Sequence, residues 1–168
     1  RVAQTTKFNT IADGNVPLAS GILEENENFV SIAFSEKNAL LHQALLSKYY
    51  GKVHTFMAHL GNGIGFSMDA NAISGKDVDL SATLQIVEQF AEGFDSFKMN
   101  TQQKTVLNGE IGIHVNVGVQ YAGLQAYLFQ KNITTGLYEL KNTMPVNAIG
   151  NVAVMTNTVA DMYILIAK

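Results

Sequence analysis

The sequence predicts a mainly β protein, an antiparallel β-sandwich with one short α-helix. Three observations lead to this prediction. Apolar residues alternate with polar ones at period two in several segments, the segments recur about every ten residues between turn signals, and only one segment has helical spacing. With 168 residues, of which 47% are hydrophobic and 15% charged, the chain can bury a core of ordinary size.

The predicted domain begins after a polar lead-in. Residues 1–20 show no hydrophobic period, and we interpret them as a lead-in or linker with a short edge strand at Lys7–Ile11. Residues 21–168 are predicted to form a single β-sandwich domain, with an internal seam near residues 99–103.

The first elements of this domain are a strand and a helix. Phe29–Phe34 alternates as a strand does, and Ser35 follows it in the position of a helix N-cap. Helical spacing then predicts one helix over Glu36–Tyr50, closed by Gly51. The residues with that spacing are Leu40, Leu41, Ala44 and Leu45.

A hairpin and a long alternating segment come next. Lys52–Leu60 and Ile64–Asp69 flank a Gly-Asn-Gly turn and are predicted to pair. Asp77–Glu88 has the longest alternation in the chain, which predicts a strand. Gln89–Lys98 carries phenylalanines three or four residues apart, and we interpret it as a helical turn or cap.

The segment Gly109–Lys141 is the centre of the predicted fold. It reads as a buried β-ribbon whose two halves meet at a corner marked by Gly118 and Gly123, residues that allow a reversal or a close backbone approach. The last two predicted strands are Asn151–Met155 and Met162–Ala167.

Composition and motifs disfavour several functions. The net charge is −3 and the eleven basic residues are scattered, so we expect no nucleic-acid binding. No apolar run of about eighteen residues is present, so we expect no membrane insertion. The chain has no cysteine, and no catalytic signature stands out. We therefore predict a protein that is not an enzyme.

Metal sites are also disfavoured. His42, His54, His59 and His114 are dispersed, and a zinc site would need three separate elements to bring them together. The segment from Asp69 to Asp79 departs from the EF-hand pattern, so a turn-rich connection is favoured and no cofactor is predicted. The alternative is an irregular Ca²⁺ site made by Asp69, Asn71, Asp77 and Asp79.

Aromatic residues supply the candidate binding site. Sheet-based carbohydrate modules stack sugars on exposed aromatic rings, most often including tryptophan, which this chain lacks. Packing inside the protein is the simpler interpretation of aromatics at period two. The candidates for sugar binding are Tyr121, Tyr127 and Phe129 on the central ribbon, with Tyr49 and Tyr50 at the end of the helix.

The second half of the chain carries a series of packing motifs. They are Asn108-Gly109, Ile111–Val117, Tyr121-Ala122-Gly123-Leu124-Gln125-Ala126-Tyr127-Leu128, Gly150–Val154 and Ala160-Asp161-Met162-Tyr163-Ile164. In these motifs the chain resembles an Ig-like or ZU5-like β-sandwich module that recurs in exported surface and cellulosome-associated multi-domain proteins of Gram-positive anaerobic bacteria. It departs from them at Asn157-Thr158-Val159, where such modules often have a turn containing His and Ser.

The resemblance implies a secreted or cell-wall-associated protein. The expected role is a non-catalytic structural or protein-interaction module whose partners are neighbouring domains of a larger polypeptide or another surface protein. The alternative is a carbohydrate-binding module that recognises a plant or cell-wall polysaccharide.

Overall fold

A computed structural model describes residues 4–13, 16–25, 29–47, 55–69, 72, 76–87 and 92–168. Within these residues the chain forms fourteen strands and one α-helix. In order they are β1 (Gln4–Asp13), β2 (Val16–Glu25), β3 (Phe29–Phe34), β4 (Leu40–Leu41), α1 (Gln43–Leu46), β5 (Thr55–Leu60), β6 (Ile64–Asp69), β7 (Val78–Asp79), β8 (Ala82–Val87), β9 (Phe94–Thr101), β10 (Thr105–Asn116), β11 (Gln125–Lys131), β12 (Tyr138–Pro145), β13 (Asn151–Val159) and β14 (Met162–Ala167).

The strands form two main sheets, which confirms the predicted mainly β, sandwich-like fold. One sheet has seven strands in the order β1-β2-β3-β5-β6-β10-β13, and the other has five in the order β12-β11-β14-β9-β8. β4 and β7 make a separate short pair. Neighbouring strands are antiparallel except β3 and β5, which are parallel. A parallel pair needs a long crossover between its strands, and this one contains β4 and α1.

The core lies between the inward sides of the two sheets. Phe56, Phe66 and Ile113 from the seven-stranded sheet, and Met99 and Ile164 from the five-stranded sheet, are each at most 1% exposed. Burying an apolar side chain of this size contributes roughly 1.5–3 kcal/mol to folding. Along each strand the alternate residues point outward, and these outward sides are where a ligand or partner can bind.

The central segment crosses from one sheet to the other. Its first half is β10 and its second half is β11, so the predicted ribbon is divided between the two sheets. The corner contains a 3₁₀ turn at Val119–Tyr121. Gly118 and Gly123 flank that turn with φ of 117° and 84°, in the region that favours glycine. The structure thus confirms a glycine-dependent corner between the two halves.

The predicted helix over Glu36–Tyr50 is wrong in its extent. The helix described is Gln43–Leu46, its N-cap is His42, and Ser35 instead forms an isolated β-bridge with Asn38. Leu40 and Leu41, whose spacing suggested a helix, pair with β7 as strand β4. Tertiary pairing has therefore overridden the local helical pattern.

One other prediction is wrong in part, and the structure describes two further segments that the sequence singled out. The cap predicted over Gln89–Lys98 is wrong from Phe94 onward, because strand β9 begins there and buries Phe97 and Met99 at period two. The predicted seam near residues 99–103 is a connection from the five-stranded to the seven-stranded sheet. The predicted lead-in contains β1 and part of β2, which pair along the seven-stranded sheet with β1 at its edge.

Candidate functional site

The outward side of the five-stranded sheet carries a group of large aromatic and apolar side chains. Phe129 in β11 is the register partner of Tyr163 in β14 and of Leu140 in β12. The residues that alternate with Phe129, namely Ala126, Leu128 and Gln130, are buried, so the aromatic side chains of β11 point outward. We call this surface the aromatic face and define it as Phe94, Tyr127, Phe129, Tyr138, Leu140 and Tyr163.

Four of the five rings of the aromatic face pack edge to face in two pairs. The centroids of Tyr138 and Tyr163 lie 4.8 Å apart with an interplanar angle of 62°, and those of Phe94 and Tyr127 lie 6.1 Å apart at 76°. Such pairs are favoured by the ring quadrupole, and they hold the rings in place. The five aromatic residues are half-buried, whereas Leu140 is 53% exposed. The surface is therefore apolar, ordered by its own contacts and open to solvent at Leu140.

Two lysines give the aromatic face a positive character. Lys98 Nζ lies 5.4 Å from the centroid of the Tyr163 ring, within the range of a cation–π interaction. Lys131 follows Phe129 at period two on β11 and is the register partner of Tyr138. Burial, followed by the nearby Asp161 charge, raises the pKa of Tyr138. That phenol therefore stays neutral at physiological pH.

The structure places Tyr121 apart from this face. Its hydroxyl donates a 2.7 Å hydrogen bond to Asp95 Oδ2, and its ring packs edge to face on Phe97 at 5.7 Å. This hydrogen bond is the main reason that the pKa of Asp95 is lowered and that the pKa of Tyr121 is raised. Through this hydrogen bond and ring contact, Tyr121 links the corner segment to strand β9.

The other two ribbon candidates, Tyr127 and Phe129, belong to the aromatic face together. The structure adds Phe94, Tyr138 and Tyr163, which sequence reasoning did not select. The alternation in β14 could have indicated that Tyr163 faces outward. The pairing of β14 with β11, which brings Tyr163 to this face, is a long-range feature that local spacing does not show. The remaining candidates, Tyr49 and Tyr50, lie outside the described residues.

The calcium candidates have other partners. Asp77 Oδ1 accepts the Gln43 N–H at 2.8 Å, which caps α1 from another segment, and its Oδ2 lies 3.3 Å from His42 Nδ1. Asp79 Oδ1 accepts the Ser81 N–H at 2.9 Å. Asn71 lies outside the described residues, and Asp69 ends strand β6. Within the described part of the chain, no three His, Asp or Glu side chains are placed to hold one metal ion.

The structure brings together two histidines that the sequence left dispersed. His59 in β5 and His114 in β10 are both register partners of Gly65 in β6, on the outward side of the seven-stranded sheet. His42 lies elsewhere, beside α1, and His54 is outside the described residues.

Comparisons with known proteins add no family or neighbour. No protein-family model, curated protein or solved structure matches the chain. Of the helices in the described ranges, none has the length and apolar character needed to cross a membrane.

Proposed function

We propose that this domain is a non-catalytic protein-interaction module of a secreted or cell-surface bacterial protein, and that it binds its partner through the aromatic face. The partner is a neighbouring domain of a larger polypeptide or another surface protein. The resemblance of the packing motifs supports the class of protein, and the aromatic face supports the mode of binding.

The observation that carries the proposal is the composition of the aromatic face. It combines five aromatic side chains with the exposed Leu140, and it lies on the five-stranded sheet. Aromatic residues are enriched at the centres of protein interfaces, where they offer large contact areas at a small entropic cost. An apolar group of this kind on an outward sheet side is typical of an interaction surface.

Charge indicates the chemistry of the partner. Lys98 and Lys131 accompany the aromatic rings although the whole chain carries a net charge of −3. Complementary charges increase the association rate and exclude wrong partners. We therefore expect a partner surface with an apolar centre and acidic residues around it.

Site-specific photo-crosslinking in the cells that naturally produce the protein tests the proposal. Benzoylphenylalanine would replace Leu140 on the aromatic face or, as the matched control, Met155 on the outward side of the seven-stranded sheet. The two positions are similarly exposed, at 53% and 60%. We expect Leu140 to give crosslinks to one defined apolar and acidic segment, and Met155 to give none to that segment.

Two outcomes would contradict the proposal. One is equal crosslinking from both positions to the same segment. The other is crosslinking from Leu140 that is scattered over unrelated proteins and persists when Lys98→Glu reverses the nearby charge.

Carbohydrate binding is the second candidate, because Tyr127 and Phe129 lie on one side of β11 roughly 6.8 Å apart, two residues along a strand. The edge-to-face packing of the rings favours a protein partner over a flat sugar chain.

Affinity electrophoresis in gels containing cellulose derivatives, xyloglucan, xylan or pectin distinguishes protein binding from carbohydrate binding. We expect no retardation. Retardation that disappears in the Tyr127→Ala/Phe129→Ala variant, with folding intact, would establish the sugar-binding alternative.

A further inference from the structure

Among the described residues the two main sheets end in four edge strands, and β8 differs from the other three. Edge strands present unpaired backbone groups, which proteins usually guard with charged residues, proline or bulges. β1 and β12 each contain charged residues and a shift of register. β13 is covered by β12, because Asn142 Nδ2 donates to the Ala153 carbonyl at 2.8 Å. In contrast, β8 has no charged residue, no proline and an unbroken register with β9.

The backbone groups of β8 face β9 and the open edge in turn. The Gln102 N–H donates to the Ser81 carbonyl at 2.9 Å, so Ser81 faces β9, and every second residue after it does the same in an antiparallel ladder. Ala82 therefore faces away from β9. Its N–H donates to the Glu36 carbonyl, and its carbonyl accepts a hydrogen bond from Asn62 Nδ2. The start of the edge is thus satisfied within the chain.

Leu84 and Ile86 continue this alternation, so their N–H and carbonyl groups also face away from β9. No described hydrogen bond reaches these four groups. The side chain of Ile86 is on the core side of the sheet, since its register partner is the buried Phe97, yet Ile86 is 73% exposed. The edge is therefore open at Leu84–Ile86 both in its backbone and in an apolar side chain.

We propose that two copies of this chain pair along β8, antiparallel, about a two-fold axis that passes through Gln85. In this register Gln85 lies opposite Gln85 of the second copy, and Leu84 lies opposite Ile86. The two Leu84–Ile86 pairs use every N–H and carbonyl group that the open edges present. A register centred on Leu84 would instead set Ile86 opposite Ala82, whose backbone groups are already bonded.

The side chains of β8 also suit a second copy. Across the two-fold axis Leu84 would pack on Ile86 on the core side, which covers apolar surface that a single copy leaves exposed. The chain carries a net charge of −3, but β8 itself is uncharged, so two copies bring no like charges opposite each other. The five-stranded sheets of the two copies would then form one continuous sheet.

Sedimentation velocity of the chain at increasing concentration tests the association. Pairing along one six-residue strand makes a small interface, so we expect a reversible equilibrium between monomer and dimer. Gln85→Lys sets two like charges opposite each other and should weaken the dimer at least tenfold. An equimolar mixture of Gln85→Lys and Gln85→Glu should restore the dimer. The matched control Met155→Lys, at an exposed position of the other sheet, should leave it unchanged.

A single cysteine tests the register. The chain has no cysteine, so Gln85→Cys introduces one thiol. In the proposed register the two Cα atoms at this position form a non-hydrogen-bonded pair about 4.5 Å apart, within the range of a disulfide. Under mild oxidation we expect Gln85→Cys to form a covalent dimer at least tenfold faster than the matched control Met155→Cys.

Three results would overturn the proposal. A monomer at every concentration would exclude a second copy and would favour a strand of another protein as the occupant of this edge. A dimer that Gln85→Lys leaves intact would mean that the copies meet elsewhere. Equal rates of disulfide formation at the two cysteine positions would exclude the register. Because Gln85 and Met155 are both exposed, circular dichroism should show that all these variants are folded, so a loss of the dimer reports on the contact.

Discussion

Replacing Gly150 with alanine tests the packing of the corner that connects β10 in one sheet to β11 in the other. Gly150 has φ of 87°, and a Cβ there would lie 2.5 Å from the carbonyl carbon of Gly118 and 2.7 Å from the nitrogen of Val119. These are backbone atoms, so they cannot rotate away as a side chain would. The Val117 N–H also donates to the Gly150 carbonyl at 2.9 Å, which keeps the two segments together.

The expected cost has two parts. A non-glycine residue at such a φ costs about 1–2 kcal/mol, and moving packed atoms to admit the methyl group costs about 1–3 kcal/mol more. Gly136→Ala is the matched control, since Gly136 has φ of 76° but no described atom within 4 Å of its Cβ position. The Gly136→Ala variant should therefore incur only the cost of the backbone conformation.

Urea denaturation gives the free energy of unfolding of both variants. We expect Gly150→Ala to lose at least about 1 kcal/mol more than Gly136→Ala, equivalent to a difference in melting temperature of about 2–4 °C. Equal losses would refute the reasoning, because they would mean that the contact between Gly150 and the Gly118–Val119 backbone does not constrain the corner.

Three further predictions concern the corner and the turn regions. Gly123→Val should lower the free energy of unfolding by about 1–2 kcal/mol through its φ of 84° alone, since its Cβ position is open, and an unchanged thermal melt would contradict this. Burial would raise the pKa of Asp161, but hydrogen bonds from Thr101 and nearby lysine charges outweigh it and lower that pKa. The ionised carboxylate therefore stabilises the fold at pH values above about 4, and this stabilisation is lost as the pH falls through the folded pKa of Asp161. In the Asp161→Asn variant the free energy of unfolding, measured by urea titration, should depend less on pH in that range. Tyr121→Phe should raise the pKa of Asp95 toward its ordinary value in a carboxyl NMR titration, and an unshifted value would exclude the hydrogen bond.

Strand alternation made much of the fold predictable. Strands Ile64–Asp69 and Met162–Ala167 were predicted with the bounds that they have, because their apolar residues face a core at period two. The prediction of the helix was wrong in its extent because Leu40 and Leu41 fit a helix locally but pair with β7, which lies far along the chain. Local spacing cannot indicate which of two compatible patterns the tertiary contacts will select.

The candidate site was only partly predictable for the same reason. Alternation on β11 brought out Tyr127 and Phe129, but their neighbours Tyr138 and Tyr163 come from strands whose register depends on the whole sheet. The pairing of His59 and His114 with one glycine is likewise a property of strand order. A shift of one residue in either strand would move its histidine to the opposite side of the sheet.

The dissociation constant of the partner segment identified by crosslinking tests the central claim most directly. The two variants to compare are Leu140→Asp on the aromatic face and Met155→Asp on the other sheet, because each places the same charge at an exposed apolar position. The proposal predicts that Leu140→Asp weakens binding at least tenfold, about 1.4 kcal/mol, by inserting an acid opposite an acidic partner, while Met155→Asp leaves binding unchanged. Equal affinities for the two variants would contradict it.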